Sequence, residues 1–157
     1  MHSKIIQVSR IPLWQDDYVE EAQFIEGGFC PWIADYVDGD LNDDMREHII
    51  EDFLSRFGDN AIVITPLNNC AHGVHFEITE GYLESLRDKC LQGFKRDVAN
   101  SESLSDLRYA TANYLEDVFG TYVYEEGAGV MPVLRWLTEW ADENTTYYIG
   151  GVIDYHW

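Results

Sequence analysis

The sequence predicts an α+β fold, with a mixed or mostly antiparallel sheet of about five strands packed against about four helices. The length of 157 residues corresponds to a single domain spanning residues 1–157, and the 46% of hydrophobic residues is sufficient for a core. Some segments alternate apolar and polar residues with the period of a strand, and others space their apolar residues as a helix does. Two predicted helices follow each other with no strand between them, which argues against regular βαβ winding.

Five segments have the composition of strands. The second is a continuous apolar run closed by Pro66, a pattern that predicts a strand buried on both faces. The last contains Gly150 and Gly151, which permit a bulge or close packing, and its alternation predicts that Tyr147, Ile149, Ile153 and Tyr155 share one face. The predicted strands are residues 4–10, 61–65, 74–78, 121–124 and 145–157, with an extended piece at 21–25 and a helical turn or loop at 32–37.

Four helices are predicted from apolar spacing and from their end signals. Asn42 is the expected cap of the first, which Gly58 ends, and Thr79 is the expected cap of the second. Ser103 opens a third helix that stops at Gly120, and Pro132 opens the fourth. In the fourth helix, Trp140 belongs to the inward stripe, whereas Trp136 lies off that stripe and is expected at the surface.

The charge of the chain is strongly acidic and unevenly distributed. There are 29 Asp and Glu against 10 Lys and Arg, a formal net charge of −19. Residues 16–52 contain 13 of these acids and a single base, Arg46, so that this segment carries −12. Such a field repels nucleic acid and anionic membranes and attracts basic partners. We therefore expect neither direct nucleic-acid binding nor membrane binding, and no long apolar segment predicts a membrane-spanning helix.

Carboxylates on the first predicted helix form a ridge. Asp44, Glu47 and Glu51 recur at helical spacing and share one face, and a second row on the next helix contains Glu80, Glu84 and Asp88. Carboxylates one turn apart can occupy the basic groove of a nucleic-acid-binding protein, as nuclease inhibitors and nucleic-acid mimics do. The acidic, aromatic-rich composition is similar to that of DNA-mimic antirestriction proteins, although no motif accompanies it. The alternative is a solvated acidic face without a partner.

The leading hypothesis is a non-enzymatic binding protein that engages a basic protein surface, such as that of a nucleic-acid-processing protein or a toxin. The predicted partner-binding residues are the carboxylates Asp43, Asp44, Glu47 and Glu51, with Trp14 or Trp32 as aromatic anchors. Three widely spaced cysteines and the absence of a signal peptide favour a reducing compartment, and we expect a cytoplasmic protein.

The rival hypothesis is a small metal-assisted hydrolase. Cys70, His72, His75 and Glu77 are the densest group of potential metal ligands, and His72, His75 and Glu77 would carry the reaction. The set lacks a second ligand pair, so a polar turn leading into a strand explains it more simply, and we expect no metal and no cofactor. A third alternative is a housekeeping domain of unknown activity.

Overall fold

The computed structural model describes residues 2–24, 36–38, 41–64, 74–115 and 120–156. Within these ranges the chain has the predicted α+β fold. The α-helices are α1 (Asp43–Ser55), α2 (Tyr82–Ala99), α3 (Leu104–Leu115) and α4 (Val133–Glu139), and short 3-10 turns lie at Gln15–Asp17, Glu21–Gln23 and Gly58–Asn60. The strands are β1 (His2–Ser9), β2 (Tyr36–Asp38), β3 (Ala61–Ile64), β4 (His75–Ile78), β5 (Thr121–Glu125), β6 (Gly129–Pro132) and β7 (Thr146–His156).

The strands form one mixed sheet in the order β3-β4-β7-β1-β5-β6. Among the described strands, β1 and β5 pair in parallel and every other pairing is antiparallel. The long strand β7 organises the sheet, because β1 pairs along one of its edges while β4 and β2 pair with opposite ends of its other edge. Among the described strands, none pairs with the middle of β7 on this edge, between β4 and β2, and we call this position the notch.

The two faces of the sheet are covered by different kinds of structure. Helices α1, α2 and α4 pack on one face, where the buried residues include Phe53, Phe76 and Trp136. A strap of residues 13–24 covers the other face and buries Val19 and Phe24 against the sheet. Even the longest helix, α2 with 18 residues, is not apolar enough to cross a membrane, and the same is true of every other helix in the described ranges.

A bulge in β7 changes which side chains share a face. Ile6 pairs with Val152 and Val8 pairs with Ile149, so Gly150 and Gly151 together lie opposite Gln7. The predicted bulge is therefore confirmed, but the predicted face assignment is wrong. Tyr147 and Ile149 lie in the helix-covered core together with Val152, whereas Ile153 and Tyr155 lie under the strap. The extra residue shifts the alternation by one, and every later side chain changes face.

Two short strands were not predicted. Residues 36–37, expected in a turn or loop, begin β2, which pairs with the end of β7. Strand β6 follows a turn that contains Gly127, and both Gly127 and Gly129, the first residue of the strand, have a φ of 86°. The strand ends at Pro132, where only the helix start was predicted. Residues 21–24 are a 3-10 turn and its end instead of an extended piece. Strands this short are decided by their pairing partners, which sequence periodicity does not reveal.

The structure also corrects the predicted burial of one strand and of two tryptophans. Strand β3 was expected to be buried on both faces, but it lies at the edge of the sheet, and Ile62 and Val63 are 55% and 49% exposed. Trp136 is completely buried, and Trp140 is 42% exposed, the reverse of the prediction. Trp136 lies on the buried side of α4 with Val133 and Leu137, and its indole N–H donates a hydrogen bond to Glu125 at 2.7 Å.

The start of α2 is stabilised from outside the helix. The predicted cap Thr79 is replaced by Gly81, whose φ of 81° lies in the left-handed region. The two carboxylate oxygens of Glu143, in the α4–β7 connection, accept hydrogen bonds from the backbone N–H groups of Gly81 and Leu83 at 2.8 and 2.7 Å. Glu143 therefore satisfies the exposed N–H groups that a local cap would otherwise bind.

Candidate binding surface

Helix α1 presents its acidic face because of its own local sequence. The Asn42 side chain accepts a hydrogen bond from Met45 N at 2.9 Å, which confirms it as the N-cap. Asp43 and Asp44 occupy the first turn, where carboxylates interact favourably with the helix dipole. Ile50 and Phe53 are buried against the sheet. The acidic residues between these apolar positions are therefore directed away from the core.

The four predicted carboxylates of α1 are all exposed: Asp43, Asp44, Glu47 and Glu51. Among the described residues, none of the four forms an ion pair. All ten Lys and Arg lie within the described ranges. Arg46, within α1, donates to Gly150 O at 2.7 Å. Arg56, at the C-terminal end of the helix, pairs with Asp52. None of the four carboxylates is therefore neutralised by an ion pair with a described Lys or Arg.

A groove runs along α1 beside these carboxylates. We call it the acidic groove; its volume is about 580 Å³, and it is lined by Asp43, Arg46, Glu47, Ile50, Glu51, Leu54, Val63 and Val74. One wall is a row of carboxylates four residues apart, and the floor is aliphatic. Asp44 is exposed but is not among the lining residues. The structure thus brings three of the four predicted carboxylates together with an apolar surface that the sequence did not predict.

Of the two predicted aromatic anchors, the structure describes Trp14, and Trp14 does not line this groove. Trp14 is 56% exposed, as expected, and lies at the start of the strap, where its backbone N donates to Asp17 at 3.0 Å. It is not among the residues that line the acidic groove. Trp32 lies outside the described residues. The apolar contribution at the groove comes instead from Leu54 and Val63, which are aliphatic.

A second cavity of about 450 Å³ lies at the notch beside β7, on the other side of Arg46. The Arg46 guanidinium lies 5.3 Å from the centre of the Tyr18 ring and binds the carbonyl of Gly150. The cavity is lined by Gln15, Tyr18, Val19, Glu20, Glu21, Leu41, Arg46, Gly151 and Val152. Arg46, the single base of residues 16–52, therefore connects α1, the strap and the bulge.

Two of the four predicted metal ligands, His75 and Glu77, lie in the described residues, and each makes a separate contact with β7. His75 and Glu77 lie two residues apart on β4 and share a face. The His75 ring stacks on Tyr148 at 5.3 Å, and Glu77 accepts a hydrogen bond from Thr146 Oγ1 at 2.7 Å. Cys70 and His72 lie outside the described residues. Within the ranges that the structure describes, no group of three or more His, Cys, Asp or Glu could hold a metal ion.

A buried carboxylate was missed by the sequence analysis. Glu125 at the end of β5 accepts hydrogen bonds from Arg10 Nε and Trp136 Nε1, both at 2.7 Å. Arg10 also contacts Asp142 and donates to Trp140 O at 2.5 Å. The hydrogen bond to Glu125 raises the pKa of Arg10, and burial raises the pKa of the neighbouring Tyr147. Both oxygens of Glu125 are satisfied, so this network holds α4 and the α4–β7 connection to the sheet.

No protein-family model, no curated protein and no solved structure matches this chain. Among the surfaces of the described residues, the acidic groove combines exposed charge, exposed apolar surface and a concave shape.

Proposed function

We propose that this chain is a non-enzymatic binding protein that engages the basic surface of a partner protein through helix α1. The observation that carries the proposal is the exposure of Asp43, Asp44, Glu47 and Glu51, none of which is ion-paired with any described residue. Unpaired carboxylates in one row leave a local negative potential that a complementary basic surface would neutralise. A partner that binds nucleic acid would carry such a surface.

The distribution of charge over the rest of the chain also supports a partner-binding surface on α1. Half of the ten Lys and Arg lie in residues 82–115, together with five carboxylates, so the α2–α3 region is neutral overall. The whole net charge of −19 therefore belongs to the rest of the chain. A basic partner would be attracted to the acidic rest of the chain, of which residues 16–52, with −12, include α1. The proposal extends to a cytoplasmic location, in which free thiols such as Cys90 persist.

The experiment that tests the proposal compares two sets of charge-neutral substitutions. The first changes Asp43, Asp44, Glu47 and Glu51 to Asn or Gln, and the second changes Glu80, Glu84, Asp88 and Glu102 in the same way; all eight are exposed. Both sets remove four negative charges. Association with a fluorescent poly-lysine probe is measured by stopped flow at several salt concentrations.

The α1 set is expected to slow association by about tenfold at low salt, because close charges dominate steering. The α2 set should have a smaller effect, and raising the salt should reduce the difference between the two sets, since screening lengths shorten. Equal effects of the two sets would show that the probe responds only to net charge, and the proposed function would then be abandoned.

A further inference from the structure

We infer that the acidic groove binds an amphipathic basic helix of the partner, with its apolar side chains on the groove floor and its Lys or Arg side chains against α1. This inference rests on the proposed function and names the form that the basic partner takes.

The floor of the groove is apolar surface that the fold leaves open. Val63 is 49% exposed at the edge of the sheet and lines the groove with the half-buried residues Leu54 and Val74. The volume of about 580 Å³ lies within the range of about 300–1,000 Å³ that is common for ligand sites. Burial of aliphatic surface would supply binding free energy that a carboxylate row alone does not supply.

The wall of the groove repeats with the period of a helix. Asp43, Glu47 and Glu51 succeed one another at four-residue intervals, which places their side chains about 6 Å apart along α1. Lysines four residues apart on a partner helix have the same repeat. A helix lying alongside α1 would therefore pair its basic row with this wall while its apolar row faces the floor, the helix-in-groove arrangement of peptide recognition.

The charge of the chain argues for a basic partner in place of a second copy. A symmetric contact through the groove would bring two α1 carboxylate rows together, and each copy carries a net charge of −19. Like charges in contact are repelled, whereas a basic helix would relieve the repulsion within the row. The exposed apolar floor and the acidic wall are thus complementary to one kind of segment.

The probe for the test is a synthetic peptide of about 14 residues, or four helical turns, with leucines on one face and lysines four residues apart on the other. A second peptide has the same composition in an order that gives no amphipathic face. Binding to the full chain is measured by fluorescence anisotropy, and helix formation in the bound peptide by circular dichroism. The amphipathic peptide is expected to bind about tenfold more tightly than the reordered peptide and to become helical when bound.

Two neighbouring residues of β3 give a matched pair of variants. Val63→Thr makes the groove floor more polar with almost no change of shape. Ile62→Thr also introduces a hydroxyl, with the loss of one further methyl group, at the adjacent exposed position, which does not line the groove. Val63→Thr is expected to weaken binding of the amphipathic peptide by about tenfold, and Ile62→Thr is expected to leave this binding unchanged. Thermal melts confirm that both variants fold.

The outcomes separate this inference from the proposed function. Three results would overturn the inference that the groove binds an amphipathic helix: equal binding of the two peptides, no helix formation, or equal effects of Val63→Thr and Ile62→Thr. None of these results would contradict the binding role of the α1 carboxylates. If Asp43→Asn, Glu47→Gln and Glu51→Gln together leave both peptides unaffected, the proposed function itself fails. Both the groove inference and the proposed function are supported if Val63→Thr and the three carboxylate substitutions each weaken binding of the amphipathic peptide while Ile62→Thr does not.

Discussion

At the scale of single residues, Gln7 connects the strap to the sheet. Its side-chain oxygen accepts hydrogen bonds from Val19 N at 2.9 Å and Gly151 N at 2.8 Å, and its nitrogen donates to Asp17 O at 3.0 Å. A Cβ atom at Gly150 would clash with the Gln7 oxygen, and one at Gly151 would lie 2.5 Å from Val19 O. The two glycines are thus required by close approach, and Gln7 fills the space that they leave at the bulge.

Replacement of Gln7 by Leu should lower the free energy of unfolding by about 2–4 kcal/mol, because two buried N–H groups lose their acceptor. Urea denaturation measures the loss. Gln92→Leu, at an exposed position of α2, is the control and should change the stability by less than about 0.5 kcal/mol. A cost below about 1 kcal/mol for Gln7→Leu would mean that the strap does not depend on this side chain.

At the scale of elements, the α2–α3 pair is held by contacts that lie largely outside the main core. Gly93 allows the Tyr114 ring to lie against α2, since a Cβ atom there would lie 2.5 Å from the Tyr114 oxygen. The Tyr114 hydroxyl donates to Asp97 at 2.9 Å, and Arg96 Nε donates to the same carboxylate at 3.0 Å. The hydrogen bond from Arg96, followed by that from Tyr114, lowers the pKa of Asp97 below its ordinary value of 3.8.

This lowered pKa predicts the pH dependence of the contribution of Asp97 to stability. Because the fold favours the carboxylate, the stabilisation is complete well above pH 3.8 and is lost as the pH falls through the lowered pKa of Asp97. The difference in unfolding free energy between the wild type and Asp97→Asn should therefore be constant from pH 7 to about pH 5 and shrink below pH 3.8. Urea denaturation across this range measures it.

Asp88→Asn, at an exposed position of the same helix, is the control for general acid effects. Its difference from the wild type should not follow the profile of Asp97→Asn. A difference for Asp97→Asn that is independent of pH would show that the pairing with Arg96 and Tyr114 does not stabilise the fold in solution.

At the scale of the whole molecule, charge repulsion opposes folding. The chain has 29 acids for 10 bases, and five of those bases are already engaged in ion pairs within the described residues. Arg46 and Arg87 bind backbone carbonyls in place of carboxylates. Most acids consequently face solvent and one another, so the compact state concentrates negative charge that the unfolded chain disperses.

Added salt should therefore stabilise the protein at pH 7. Raising sodium chloride from about 0.01 to 0.2 M shortens the screening length from about 30 Å to below 8 Å, and we expect a gain of about 1 kcal/mol, or about 2–4 °C in Tm. Thermal melts in this range measure the response. Screening saturates at low concentration, whereas stabilisation by ion exclusion continues to increase toward molar salt. A Tm that rises only at molar salt would contradict a repulsive native state.

Local patterns determined the helices and most of the strands. The Asn42 cap, the acidic first turn and the apolar spacing of α1 are properties of consecutive residues, and the structure confirms each of them. The exposure of Asp43, Asp44, Glu47 and Glu51 follows from the same spacing, because burial of Ile50 and Phe53 turns the remaining positions outward. A charged row on an amphipathic helix is therefore predictable without knowledge of the fold.

Tertiary structure decided everything that depends on a distant partner. The edge position of β3 exposes Val63, and only the packing of α1 beside that edge makes the carboxylate row the wall of a groove. The bulge at Gly150 changes the face of every later residue of β7, and Trp136 is buried, with its indole N–H bound to Glu125, against the expectation from helical spacing. Periodicity indicates which residues prefer burial. Strand order, register and long-range hydrogen bonds determine which of those residues are buried, and they depend on residues far apart in the sequence, which periodicity does not relate.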